Sequence, residues 1–262
     1  MHPEEGISVQ SGVRKWHADT STVQEGRILL MKHVIAFAVF VLCGVTAIAA
    51  PPRRGDRSEE TKRLRRAADV FNEIMSTPDK GVPANLLDKT ECVAIVPGMS
   101  KGGIGIGGRY GKGVVMCRKG DRSWTAPSFL TVEGGSFGLQ LGFEKVDLVM
   151  LIMNRHGMDA LISDKFTVGA DAAAAAGPVG RNASADTDVK LNAEILTYSR
   201  AKGLFGGLAL NGAVVKQDRD DNRSFYGKDM DARQILMEGR VPMPPEARSL
   251  AAALSRTSPA KE

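Results

Sequence analysis

The chain has 262 residues, 43% of them hydrophobic and 25% charged, with 35 Lys and Arg against 30 Asp and Glu for a formal net charge of +5. This is ordinary globular composition for one or two domains. The basic excess is compatible with an anionic surface as partner without demanding one, and with 5% aromatic residues it argues against nucleic acid.

Residues 1–30 are polar and patternless and read as a disordered or untranslated extension ahead of Met31. Met31, Lys32 and His33 then precede an apolar run at 34–45 (VIAFAVFVLCGV) and the small residues Ala47 and Ala49, the pattern of a signal peptide over 31–49. The run is about 12 residues, short of the ~18–20 that cross a bilayer. The expected location is therefore exported, periplasmic or cell-envelope associated. Cys43 would leave with the signal, and Cys92 and Cys117 either pair or serve as small buried hydrophobes. Those two and His156, the sole histidine after residue 49, cannot assemble a four-ligand zinc site. No cofactor is expected.

Residues 50–57 form a Pro/Arg-rich leader. Helix is expected over 58–77: Ser58 caps, Glu59 and Glu60 face the positive end of the dipole, and Leu64, Ala67, Ala68, Phe71, Ile74 and Met75 form one stripe. Arg53, Arg54, Arg57, Lys62, Arg63, Arg65 and Arg66 crowd its start. Two uses of this segment stay open: packing on a sheet with the cations solvated, or lying on an anionic bilayer.

A short helix is expected at 85–89 and a buried strand at 92–96, ended by Pro97-Gly98. Residues 98–142 hold 13 of the 29 glycines among β-branched and aromatic residues. Glycine weakens a strand, so its repetition marks sharp bending or close approach of backbone or ligand. Strands are expected near 103–110, 114–118, 128–133 and 137–143, and the apolar run 146–153 (VDLVMLIM) as the most buried. A helical turn is expected at 156–163. The alternation over 189–198 predicts a half-exposed strand, and Asn211-Gly212 a hairpin between 204–210 and 213–217. Helices are expected at 231–237 and 245–254. The whole reads as one α+β domain at 58–240, built on a strongly curved, Gly-rich, mainly antiparallel, open-barrel-like sheet, with a C-terminal helix and tail at 241–262.

Three motifs suggest chemistry and fail in context. Residues 103–108 (GIGIGG) match a dinucleotide turn, but a helix should follow and the chain instead extends. Gly111-Lys112 lacks the leading Gly of a P-loop and the Ser or Thr for magnesium. Ser136 sits in a G-x-S-x-G pattern with Asp147 and His156 downstream, all within 21 residues, too close for the elbow fold of a hydrolase. No catalytic residues are assigned, and the chain is read as non-enzymatic.

A better signal is cations beside Gly-rich turns: Lys101, Arg109, Lys112, Arg118, Arg181, Arg200, Lys202 and Lys228. Exposed backbone N–H groups and flexible chain there can meet phosphate oxygens.

Five phrases in order, at 124–127 (WTAP), 138–142 (GLQLG), 177–181 (GPVGR), 198–207 (YSRAKGLFGG) and 222–227 (NRSFYG), resemble the SYLF domain, a lipid-binding family with yeast and animal regulators of cortical actin and exported bacterial members. The resemblance implies one α+β domain that binds acidic phospholipids, phosphoinositides in eukaryotes, with a basic amphipathic N-terminal segment contributing. The expected site is then Lys62, Arg63, Arg65, Arg66, Lys101, Arg109, Lys112, Arg181, Arg200 and Lys202. The expected partner is an anionic phospholipid membrane, with a protein partner of the actin-regulator kind as the alternative.

Overall fold

A computed structural model describes residues 57–76, 81–104, 106–137, 142–179, 193–202 and 204–257. Residues 31–49, the expected signal peptide, lie outside them. The elements run α1 (Ser58–Ser76), α2 (Ala84–Lys89), β1 (Cys92–Ile104), β2 (Ile106–Cys117), β3 (Ser128–Phe137), β4 (Gly142–Ile152), α3 (Arg155–Leu161), β5 (Lys165–Thr167), β6 (Ala174–Ala176), β7 (Ile195–Ala201), β8 (Leu204–Gly207), β9 (Val214–Gln217), α4 (Arg219–Tyr226), α5 (Ala232–Leu236), a 3-10 turn (Pro245–Ala247) and α6 (Arg248–Thr257). The strands form one curled, open half-barrel in the order β5-β9-β3-β2-β1-β4-β7-β6, with β8 also paired to β7. The pairing is antiparallel except between β6 and β7. The α+β, open-barrel-like expectation holds.

The middle of the sheet is buried on both faces, because successive apolar residues point opposite ways along a strand. On one face Ala94 and Val96 of β1, Val115 of β2 and Leu148 and Met150 of β4 pack with Met158 and Leu161 of α3, Phe166 of β5 and Ile235 of α5. On the other, Val93, Ile95, Val114, Met116, Val149 and Leu151 meet Leu64, Phe71 and Ile74 of α1 and Leu250 and Leu254 of α6. Cys92 and Cys117, opposite one another on β1 and β2, are joined in a disulfide.

The stripe of α1 is thus used in the core, where Leu64 is 0% and Phe71 and Ile74 each 1% exposed. Burying each such side chain is worth about 2 kcal/mol, against roughly 0.5 kcal/mol for an exposed ion pair. Packing holds the helix, and its charges refine the position.

Several expectations change. β1 does not stop at Pro97-Gly98: the strand resumes after an irregularity between Val96 and Met99, where Gly98 takes φ 62° and donates its N–H to Asp147 Oδ1 at 2.8 Å. Such a bulge accepts a proline that a regular ladder would refuse. The strand expected near 103–110 is shared between two strands: Gly103 and Ile104 end β1, and residues 106–110 begin β2, which pairs antiparallel with it. Asn211-Gly212 turns, with Gly212 at φ 77°, yet joins no hairpin, because β8 folds back on β7 while β9 pairs β3 and β5. The half-exposed strand proves internal: Ile195 to Tyr198 are all buried, and Thr197 satisfies its hydroxyl on the carbonyls of Leu208 and Ala175. Residues 189–192 of that expected strand are outside the described set. Helix α4 was not foreseen.

The glycines divide by what a side chain would meet. A Cβ on Gly111 would come within 2.6 Å of Val96 Cγ1 and one on Gly113 within 2.7 Å of the Ile95 carbonyl, whereas Gly135 has open space and Gly108 only the Gly134 carbonyl at 3.9 Å. Gly177 faces the Tyr198 ring so closely that a Cβ would overlap it. Gly177→Ala should therefore destabilise by about 1–3 kcal/mol, read from the urea midpoint, while Gly108→Ala should be neutral or gain up to about 1 kcal/mol by relieving strand glycine. Equal losses at the two positions would contradict this division.

Candidate functional site

At the end of the sheet where β1 turns into β2, the registers line up side chains in rows across β4, β1, β2 and β3. One row reads Glu144, Lys101, Arg109 and Gly134. The next toward the tip reads Phe143, Gly102, Gly108 and Gly135, and the one beyond it Gly142, Gly103, Gly107 and Ser136. Directly opposed residues hold their Cβ atoms about 5 Å apart and on one face. Lys101 and Arg109 are thus neighbouring cations, bordered by two rows that are almost all glycine.

Two like charges side by side repel unless an anion lies between them. Glu144 flanks Lys101 on the side away from Arg109. The Arg109 Nε is buried and meets no hydrogen-bond partner among the described residues. Burial also pulls the guanidinium below its ordinary pKa. A planar, unsatisfied donor beside a lysine over open glycine backbone is suited to a phosphate or carboxylate oxygen. Lys202, exposed at φ 48° after β7, lies at the same end of the sheet, as does exposed Lys145 on β4.

The other expected cations are elsewhere. Arg63 is 13% exposed, binds Asp221 Oδ2 at 2.5 Å and lies over the Phe129 ring. Lys112 binds Asp218 at 2.8 Å and Asp221 at 3.0 Å. Arg200 bridges Asp147 at 2.7 Å and Glu73 of α1. These three serve as ties that fix α1 and α4 to the sheet. Lys62 pairs with Glu59 at 2.8 Å, while Arg65 and Arg66 are exposed on α1. Arg181 lies outside the described residues. The structure sets Lys101 beside Arg109, with Lys202 at the same end of the sheet two strands away, and the α1 cations form a separate group.

The hydrolase-like residues are not gathered. Ser136 lies in the row of Gly142, and His156 follows the far end of β4, roughly 30 Å of strand away. His156 Nδ1 meets Glu194 at 2.6 Å, and Asp147 is held by Arg200. Among the described residues no group of His, Cys, Asp and Glu is placed to hold a metal ion.

Tyr110, Phe143, Val179 and Leu204 were not singled out in the sequence, yet among the described residues they are the large hydrophobic ones left exposed. Apolar residues beside strand patterns read as core, and their only signal was proximity to glycine.

A family model described as "Ysc84: Las17-binding protein actin regulator" matches residues 133–257. The rat SH3 domain-containing YSC84-like protein 1 is 32% identical over 202 residues, covering 76% of this chain and 59% of its own length. The chain belongs to the Ysc84 (SYLF) domain family. The human protein of the same name is also 32% identical over 202 residues, 58% of its length. LAS seventeen-binding protein 3 of Saccharomyces cerevisiae is 31% identical over 192 residues, 71% of this chain and 41% of its own. The Ysc84-family chain thus spans about three-fifths of its animal relatives and two-fifths of the yeast one.

These eukaryotic relatives overturn the expectation of an exported, periplasmic or cell-envelope protein. A dozen apolar residues behind Lys and His is a pattern of low specificity. Among the described residues no helix is long and apolar enough to cross a membrane.

The family phrases mostly build the fold. Asn222 is fully buried and its Oδ1 accepts from the Phe129 N–H at 2.9 Å, Tyr226 donates to the Pro127 carbonyl, and a Cβ on Gly207 would strike the Gly177 carbonyl. The charge cluster beside Asn222 makes a pH-dependent contribution. Burial alone pushes the Asp221 carboxyl up, but hydrogen bonds from Arg63 and Lys112 outweigh it and hold it below its ordinary value. With the folded value depressed, the contribution is complete above about pH 4 and is lost as pH falls through the folded value. Asp221→Asn should cost about 2 kcal/mol at neutral pH, measured by urea unfolding, and the gap from wild type should close in acid. A gap unchanged at the lowest pH would contradict the assignment.

Proposed function

We propose that the chain is a non-enzymatic module that binds anionic phospholipid, of the phosphoinositide kind, through the Lys101–Arg109 end of its sheet, with Arg65, Arg66 and Lys202 adding long-range attraction. The observation that carries this reading is the pair of adjacent cations bordered by open glycine backbone, with the Arg109 Nε unsatisfied. Phosphate oxygens supply the acceptors and charge that the pair lacks. Each Lys or Arg near an anionic surface contributes about 1 kcal/mol, so binding depends on several together and weakens with salt.

A second reading follows from the description of the family model as a Las17-binding actin regulator. On it the chain is a scaffold whose partner is a protein. Sedimentation with vesicles separates the two. Lys101→Ala/Arg109→Ala should lose about 2 kcal/mol, roughly thirty-fold, on vesicles containing phosphatidylinositol phosphates. Arg65→Ala/Arg66→Ala should weaken binding in proportion to its dependence on salt. Indifference of the wild-type chain to lipid charge, together with retention on actin filaments, would favour the scaffold.

A further inference from the structure

Four large hydrophobic residues are exposed among the described residues: Tyr110 at 50%, Phe143 at 93%, Val179 at 41% and Leu204 at 76%. Single exposed hydrophobics are common on any protein surface. These four share one end of the sheet. Phe143 opposes Gly102 on β1, one row from the turn side of Lys101. Tyr110 opposes Ser100, itself opposite Lys145. Leu204 opposes Ala201 where β7 folds back into β8, just past the pairing of Arg200 with Asp147. Val179 follows β6, which runs parallel to β7 and so heads the same way.

Charge at this end is one-sided. Lys101, Arg109, Lys145 and Lys202 stand among the apolar residues, against Glu144 and a Glu133 already paired with Lys216. Alternation along the strands puts Phe143, Tyr110 and Lys145 on one face and Lys101, Arg109 and Glu144 on the other. The arrangement therefore belongs to the rim of the half-barrel, approached end-on. Apolar tips within a ring of cations match the depth profile of an anionic bilayer, with acyl chains below and phosphates above. The backbone at the rim remains laddered, with Gly102 paired to Gly108 and Phe143 and Gly103 to Gly107, so shallow entry leaves these strands paired.

We propose that this rim inserts into an anionic bilayer, with Phe143 and Leu204 as the main apolar anchors, Tyr110 and Val179 at the interface, and Lys101, Arg109, Lys145 and Lys202 at the phosphate level. The inference rests on the lipid reading above and adds penetration to it. Helix α1 then acts from outside the contact through its exposed cations, since its apolar stripe is in the core.

The test uses the full chain and vesicles of phosphatidylcholine with and without phosphatidylserine. Phe143→Trp and Leu204→Trp should each show blue-shifted emission, and quenching by bromine-labelled acyl chains, on anionic vesicles only and beyond the signal of native Trp16 and Trp124. Phe143→Ser/Leu204→Ser should lose at least ten-fold in vesicle affinity while keeping the wild-type unfolding midpoint. Binding of the wild-type chain that is abolished by Lys101→Ala/Arg109→Ala, without quenching in either Trp variant, would overturn insertion and leave headgroup binding standing. Full affinity in the double Ser variant would do the same. A wild-type chain that ignores anionic vesicles would overturn both.

Discussion

The central strands leave no free face, and the rest of the molecule follows from that. β1, β2 and β4 send apolar side chains to both sides of the sheet, so each side requires its own cover. α1 and α6 close one side, and α3 and α5 with the edge strand β5 close the other. A sheet so enclosed has nowhere to hold a ligand except at the ends of its strands. The curl helps at the turn end, because rows of glycine there have no side chains to fill the space.

The same residue type does two different things on the two sides of this boundary. Arg63, Lys112 and Arg200 lie where the lids meet the sheet, and each finds a carboxylate placed there by α4, β4 or α1. Leaving such a charge unpaired near the core costs several kcal/mol, so a site there could take a headgroup only by giving up a tie. Lys101 and Arg109 sit past the lids and have no such obligation. Charge count alone does not separate these groups; burial of the partner carboxylates does. The glycines divide along the same line, since Gly111 and Gly113 admit close neighbours while Gly108 and Gly135 face open space.

What the sequence makes legible is local. Leu64, Phe71 and Ile74 recur at helical spacing, and the run from Val146 to Ile152 has no polar break except Asp147, which shows that it is buried on both sides. What stayed hidden depends on partners far along the chain. Asn211-Gly212 has the chemistry of a hairpin turn, but β9 gains more by pairing with β3, some eighty residues earlier, than with its neighbour. Helix α4 was missed because only Asn222 and Phe225 of it are buried, too few for a stripe, although Asp218 at its start caps the Asp221 N–H in the usual way. The exposure of Phe143 and Leu204 was equally unreadable, since an apolar residue in a strand gives no sign of whether another element covers it.

The family phrases bear on how function is distributed in this fold. Asn222, Phe225, Tyr198 and Gly177 work in the interior, and Gly207 lets β8 approach the Gly177 carbonyl, so these residues bond one element to another or allow two to touch. A resemblance carried by such residues transmits architecture. The rim is only partly made of them: Val179, Lys202 and Leu204 lie within the phrases at 177–181 and 198–207, whereas Lys101, Arg109, Tyr110, Phe143 and Lys145 lie outside all five. The rim can therefore change its charge and apolar content without disturbing the enclosed sheet, because neither lid packs on it. Members of one family can in this way share a frame and differ in what they bind, and in this chain the rim holds cations and apolar tips together.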